Sequence, residues 1–182
     1  MNDSLPAPGD PARAGPAGVS LPPVHRDWKP SVTVAAVVER DGRYLLVEEH
    51  THEGLRLNQP AGHLDPGETL AQAAVREAFE ETACRVEARE LVGVYMSRYR
   101  SNAAGVDVTY LRFAFACDLR SVEPDGRLDE GIVRTLWLTP EELRARSAEH
   151  RSPLVMRTVD DHAAGRRFPL NLVYTHPGCL DV

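Results

Sequence analysis

Two periodicities run through the chain, and each marks a different kind of element. From Ser31 to Glu39 the run SVTVAAVVE is apolar and β-branched; Asp41-Gly42 then supplies a tight-turn dipeptide, and YLLVEE (44–49) resumes strand character. Together they predict a β-hairpin. Between Glu53 and Asn58 the chain is polar and reads as loop, before it enters Gln59-Pro60-Ala61-Gly62-His63-Leu64. Asp65-Pro66-Gly67 suits a β-turn, because proline pre-sets one φ and glycine accepts a positive one. A helix should begin directly afterwards. Thr69 and Gln72 stand at capping-box spacing, and Ala71, Ala74, Val75, Ala78 and Thr82 recur at helical spacing to make a narrow face of small residues. The pattern then returns to strands over Cys84–Tyr95 and Val106–Asp118; in the second, Leu111, Phe113, Phe115 and Cys117 alternate with Tyr110, Arg112, Ala114 and Ala116. Val133–Leu138 predicts one more short strand, Thr139-Pro140 a capped short helix, and Pro153–Ala164 a last helix closed by Gly165. Strands before, between and after helices predict an α/β fold, a mixed sheet carrying helices.

Composition narrows the setting. The chain has 182 residues, 42% apolar and 26% charged, which suits one soluble globular domain. Residues 1–28 hold Pro6, Pro8, Pro11, Pro16, Pro22 and Pro23 among Ala and Gly without apolar periodicity. They read as a disordered or extended arm, leaving residues 29–182 as the working domain. Lys and Arg total 21 against 27 Asp and Glu, a formal charge of −6, so neither duplex nucleic acid nor an anionic membrane is an expected partner. An anionic ligand must be met locally or through a metal. Cys84, Cys117 and Cys179 are too widely spaced for a CxxC zinc site or a disulfide framework, which fits a reducing compartment. No apolar run approaches the roughly 20 residues that span a bilayer, and the chain does not open with a basic segment followed by an apolar one. The expectation is a cytoplasmic protein.

The helix expected from Thr69 has a second face that small residues do not explain. At 100° per residue Glu77, Glu80 and Glu81 share an arc of roughly 100°, with Glu77 and Glu81 one turn apart and Arg76 beside the patch rather than within it. Like charges at i,i+4 destabilise an isolated helix by a few tenths of a kcal/mol. Either the face is simply solvated, or something positive answers it; a hard divalent cation such as Mg²⁺, held between carboxylates and a substrate's phosphates, would do so. No HExxH-like pair of histidines offers a zinc site.

Residues 62–84, GHLDPGETLAQAAVREAFEETAC, resemble the Nudix box: Gly, five residues, Glu, seven residues, then Arg-Glu-apolar-any-Glu-Glu-any-Gly-apolar. Gly62, Glu68, Arg76, Glu77, Glu80 and Glu81 supply six of its seven fixed identities, and Ala78 and Cys84 its apolar places. With usages of roughly 5–10% per residue type, such agreement arises by chance on the order of once in a million starting positions. Ala83 departs, standing where the pattern has Gly. If the helix ends there in the left-handed region, Ala costs roughly 1 kcal/mol relative to Gly, so Ala83→Gly should raise the melting temperature without changing the rate. Outside the box, WKPSVTVAAVVE (28–39), NQPAGHL (58–64), YLRFAFACDL (110–119) and RSPLV (151–155) resemble the bacterial NudJ-type phosphatases of that family.

The resemblance implies a Nudix-type α/β/α sandwich with a mixed β-sheet, and a hydrolase that binds Mg²⁺, or Mn²⁺, against a diphosphate. Glu77 and Glu81 are the implied principal metal ligands, Glu80 a further ligand or water-positioning carboxylate, and the carbonyl of Ala61 a backbone ligand. Arg76 and Glu68 are implied supports, and Gly62 the small residue that opens the box. The implied substrates are small diphosphates: nucleoside di- and triphosphates, or pyrophosphates of thiamine and its pyrimidine precursor. Water attacks phosphorus while a carboxylate accepts the proton, and Asp129 and Glu130, before the Trp137 strand, are candidate bases. A non-catalytic Nudix-like nucleotide sensor is the alternative, although such a module would be expected to lose metal carboxylates that this chain keeps. Specificity is expected from loops around residues 50–58 and 96–106. His63, Tyr95, Tyr99, Tyr110, Arg98 and Arg100 are weaker candidates for ligand contact, with local packing or exposed charge as their plain readings.

Overall fold

The computed structural model describes residues 28–101 and 105–181. Apart from Trp28, the expected N-terminal arm lies outside the described residues. Strand β1 (Ser31–Arg40) turns into β2 (Arg43–Thr51) through Asp41 at φ 53° and Gly42 at φ 76°. Two successive positive φ values match the twist of a tight hairpin. Its ladder is short, pairing Glu39 with Tyr44 and Arg40 with Arg43, after which the strands part into different neighbourhoods. β2 pairs with β3 (Gly54–Asn58) on one side and β7 (Ile132–Leu138) on the other. β1 pairs antiparallel with β4 (Ala61–His63) and parallel with β6 (Val106–Val122).

The loop expected over residues 53–58 is therefore a strand. Leu55 and Leu57 share one strand face, yet Leu55 is exposed and Leu57 fully buried; burial deepens along the segment to Leu57 and Asn58 instead of alternating, so no period-2 pattern marks it in the sequence. β5 (Cys84–Ser101) runs beyond its expected end at Tyr95, because it pairs with β6 in one long antiparallel ladder from Cys84↔Val122 to Ser101↔Val106. β8 (Phe168–Pro169) adds to the outer edge of β5. The order is β3-β2-β1-β6-β5-β8, and the parallel β1–β6 pair among antiparallel neighbours makes the sheet mixed, as expected.

Both faces of β1 are covered, which is why its sequence is a continuous apolar run. Val34, Ala36 and Val38 face α1 (Leu70–Thr82), where Ala73, Ala74 and Ala78 are fully buried and their small side chains allow close approach. Ala35 and Val37 face the other way, into a core with Leu46, Leu57, Leu143 of α2 (Pro140–Ala145), and Val155 and Val159 of α3 (Leu154–Ala163). Helices thus lie on both sides. The capping box is formed: Thr69 Oγ1 accepts from the Gln72 N–H and Gln72 Oε1 accepts from the Thr69 N–H. At the other end Ala83 sits at φ 55°, ψ 19° in the left-handed region. Its methyl group packs where a Cβ on Gly126 would stand, a contact that offsets part of the strain.

Candidate active site

Helix α1 delivers its carboxylates to the edge of β4. Glu77 lies with the buried residues of the helix at 8% exposure, because it follows Ala73 by one turn and borders the apolar face. Its carboxyl group rests against Gly62, and a Cβ on residue 62 would overlap it. Glycine is needed there for close approach, not for an unusual φ. One turn further on, Glu81 Oε2 accepts a hydrogen bond from the Ala61 N–H at 2.8 Å. Gly62, Ala61, Glu77 and Glu81 are thus brought together, although Ala61 meets the carboxylate through its N–H.

The expectation that Arg76 stands beside the patch is corrected by the structure. Its Nη1 donates to Glu77 Oε1 and to Glu80 Oε2, both at 2.9 Å, while Nε and Nη2 fork onto Glu68 at 3.0 and 2.7 Å and Nη2 also reaches the His63 carbonyl at 3.0 Å. The sequence angle placed only its Cβ; the long guanidinium arm bridges an adjacent residue and one a turn away. Glu68 is itself fixed by the Asp65 N–H at 2.8 Å. With Arg76 between them, Glu77 and Glu80 do not converge, and among the described residues no three His, Cys, Asp or Glu side chains form a ready-made cation cage.

The charge balance nevertheless leaves an excess. Burial raises the Glu77 carboxyl above its ordinary range despite Arg76. It pushes Glu81 up to about 8; the Ala61 N–H opposes the shift, and the nearby charges of Glu77, Glu49 and Asp129 add to it. Glu68, onto which Arg76 forks, is lowered chiefly by that arginine's hydrogen bonding. Hard oxygen donors in a partly desolvated patch that one arginine does not neutralise fit a hard divalent cation, with small carboxylate rotations to admit it.

Asp129 is tied to the helix end, its N–H donating to the Glu80 carbonyl at 3.0 Å, and its charge is felt at both Glu77 and Glu81. Glu130 is exposed beside it. In front of Ala61 and Gly62 opens a cavity of about 530 Å³ running between the sheet strands and the start of α3. It draws on Thr51, His52, Glu53 and Asn58 and on Ser97, Arg98, Tyr99 and Val106, the two segments expected to set specificity, though most of them lie on strands. Tyr99, Tyr110 and His63 line it. Tyr95 does not take part, since its hydroxyl donates to Asp161 at 3.0 Å on the α3 side. Arg98 and Arg100 are exposed and paired with Asp107, Arg98 at 2.6 Å and Arg100 at 3.4 Å.

Two cavity residues escaped the sequence reading. Glu49 ends the apolar strand YLLVEE and turns into the cavity, where Oε1 accepts from Asn58 Nδ2 at 3.3 Å. Arg112 shares its strand face with Ala114 and Ala116, both buried, so its position points inward, not to solvent. An arginine in phase with small buried residues was the available signal. Burial lowers its guanidinium to about 10, against the pull of Glu49 and Glu81.

Residues 27–158 match the NUDIX domain family. The chain is 36% identical over 146 residues to the Escherichia coli K12 protein named Phosphatase NudJ, covering 80% of this chain and 92% of that one, and the same holds for Phosphatase NudJ of Shigella sonnei. A solved NUDIX hydrolase from Nitrosomonas europaea shares 47% identity at a TM-score of 0.76, covering 82% of this chain and 99% of its own. A solved UDP-X diphosphatase, at 18% identity and a TM-score of 0.61, shares the fold. With box, sheet and relatives in agreement, the chain belongs to the Nudix hydrolases.

Proposed function

We propose that this enzyme is a Mg²⁺-dependent hydrolase of small molecules carrying a diphosphate, nucleoside di- and triphosphates or thiamine-type pyrimidine pyrophosphates, with water attacking phosphorus. The observation that carries the reading is the pair Glu77 and Glu81, one turn apart and held against Gly62 and Ala61, the two residues through which a substrate-sized cavity reaches the box. The similarity to Phosphatase NudJ supports the class of substrate. Glu77, Glu81 and Glu80 would hold the cation, Mg²⁺ or alternatively Mn²⁺, with the Ala61 carbonyl as a backbone donor. When bound, it supplies neutralisation of phosphoryl oxygens and a more acidic water.

The chain's own groups do the rest. Gly62 leaves room for the Glu77 carboxylate. Glu68 anchors Arg76, and Arg76 fixes the rotamers of Glu77 and Glu80, so the carboxylates are positioned before substrate arrives. As the water oxygen bonds to phosphorus, the anhydride P–O bond breaks and phosphate leaves. The water's proton passes to a carboxylate oxygen, for which Asp129 is better placed than Glu130, because its backbone is fastened to Glu80. Phosphate release should be measured across nucleoside di- and triphosphates and thiamine-type pyrophosphates, in Mg²⁺ and in EDTA. Turnover of at least one of them that EDTA abolishes is expected; turnover indifferent to EDTA, or none on any diphosphate, contradicts the reading.

A further inference from the structure

The floor of the cavity holds a cation that the fold leaves under-used. Arg112 is part-buried, yet among the described residues its hydrogen bonding amounts to one long contact, Nη1 to Asn58 Oδ1 at 3.3 Å, and it forms no ion pair. A guanidinium carries five N–H donors, and most of those on Arg112 are left without a protein partner where the residue lines the cavity. Part-buried arginines elsewhere in the chain are treated differently: Arg76 holds three carboxylates and Arg146 grips Glu48 and Glu149. Beside Arg112 in the β1–β6 register stands Thr33, which lines the same cavity; its Oγ1 is buried and has no hydrogen-bond partner. Arg151 lines the cavity as well, close enough to oppose the charge on Arg112, and its Nη1 lies 3.9 Å from Glu49. Two positive groups therefore line a space that also reaches Ala61 and Gly62, the residues that Glu81 and Glu77 touch.

We propose that Arg112, with Arg151 beside it, is the phosphate grip of this cleft: its guanidinium donates to non-bridging oxygens of the phosphoryl group that lies away from Glu77 and Glu81. The assignment rests on the diphosphate-hydrolase reading for its ligand and adds residues that the box does not contain. The grip orients the chain of phosphates so that the scissile phosphorus faces the box, and it stabilises negative charge on the departing phosphate as the P–O bond breaks. In the free protein the guanidinium holds one long hydrogen bond, so its remaining donors are open to a bound phosphate. An arginine kept for structure would give the opposite signature, since its removal would destabilise the fold.

Arg112→Gln, Arg112→Lys and Arg151→Gln separate these cases. Binding of methylenediphosphonate, which is not hydrolysed at its P–C–P bridge, is measured by calorimetry in EDTA and in Mg²⁺, together with ligand-free melting temperatures and kcat and KM for a nucleoside diphosphate. For Arg112→Gln we expect affinity for the diphosphonate to fall about tenfold or more, a melting temperature no lower than that of the wild type, and partial recovery of binding in Arg112→Lys. Arg151 is exposed, so Arg151→Gln keeps the fold and should show a smaller, salt-sensitive loss. Diphosphonate affinity unchanged in Arg112→Gln and Arg151→Gln overturns the grip. So does a wild-type chain that binds no diphosphonate in either condition, or an Arg112→Gln melting temperature several degrees lower with kcat/KM per folded molecule intact. Wild-type binding that depends on Arg112 without hydrolysis of any diphosphate would instead leave the grip standing and remove the hydrolase reading.

Discussion

Three acids in this molecule, two buried and one part-buried, meet opposite fates. Asp161 on α3 is 7% exposed, and burial alone would raise its carboxyl. Hydrogen bonds from Arg157, Arg166 and the Tyr95 hydroxyl overcome that and hold it below the ordinary carboxylate range. Glu48 on β2 is likewise lowered, chiefly by its hydrogen bond with Arg134, with Arg146 contributing. Glu81 on α1 is met by one backbone N–H and several negative neighbours, and it is pushed up to about 8. The fold can evidently compensate a buried carboxylate when stability is the only demand. At the box it does not, and Glu77 is raised although it touches an arginine. Uncompensated charge beside a cavity is the mark of a site waiting for a ligand.

The sharpest way to break this contrast is to neutralise one acid in each region. Glu81→Gln should lower turnover by about 10²-fold or more, as expected for a metal-binding group, while the melting temperature stays level or rises because an amide of the same shape replaces a desolvated carboxyl group. Asp161→Asn should do the reverse: turnover unchanged and a loss of about 1–2 kcal/mol, modest because Arg157 and Arg166 are exposed enough to regain water. Denaturant unfolding and initial rates on the same preparations test both. Equal effects on rate at the two sites would erase the distinction.

A weaker effect concerns pH. His162 is lowered from 6.5 to about 4 by burial and by Arg167, with Tyr44 Oη 2.9 Å from its Nδ1. The unfolded chain takes up this proton below about 6.5 and the folded chain only below about 4, so the unfolded state binds more protons between those values. The stability due to neutral His162 is complete above 6.5 and is lost as pH falls towards 4. Subtracting the melting profile of His162→Asn should isolate that window; a difference that is flat across it would show that His162 titrates normally. Smallest of all, Ala83→Gly relieves a left-handed alanine but forfeits the methyl contact against Gly126. A gain of under about 1 kcal/mol with unchanged turnover is expected, and a net loss would mean that the contact outweighs the strain.

These contrasts also mark where the sequence was informative. The β1–β2 hairpin, α1 with its capping box, the left-handed Ala83 and the mixed sheet were legible because local rules govern them: a turn dipeptide, a cap spacing, a run of small residues. β3 was not, because Leu57 is its one buried apolar residue and its partners lie on β2. The box residues were legible as a spacing, and the resemblance implied Arg76 and Glu68 as supports of the acids, as their hydrogen bonds show; spacing alone set Arg76 beside the patch, since it locates Cβ atoms and says little about where a long side chain ends. Glu49 and Arg112 were missed for another reason. Each reads as an ordinary member of an alternating strand, and only the packing of two sheet regions around one cavity puts them together.

The central claim is that Glu77 and Glu81 form a carboxylate pair that a divalent cation would hold in its ionised form. Binding of Mn²⁺ followed by electron paramagnetic resonance, on the wild-type chain and on Glu81→Gln, tests it without reference to any substrate. Saturable binding by the wild type that Mg²⁺ displaces and that Glu81→Gln weakens at least about tenfold is the predicted result. Binding that survives in Glu81→Gln unchanged, or a wild-type chain that takes up no Mn²⁺, would contradict the account.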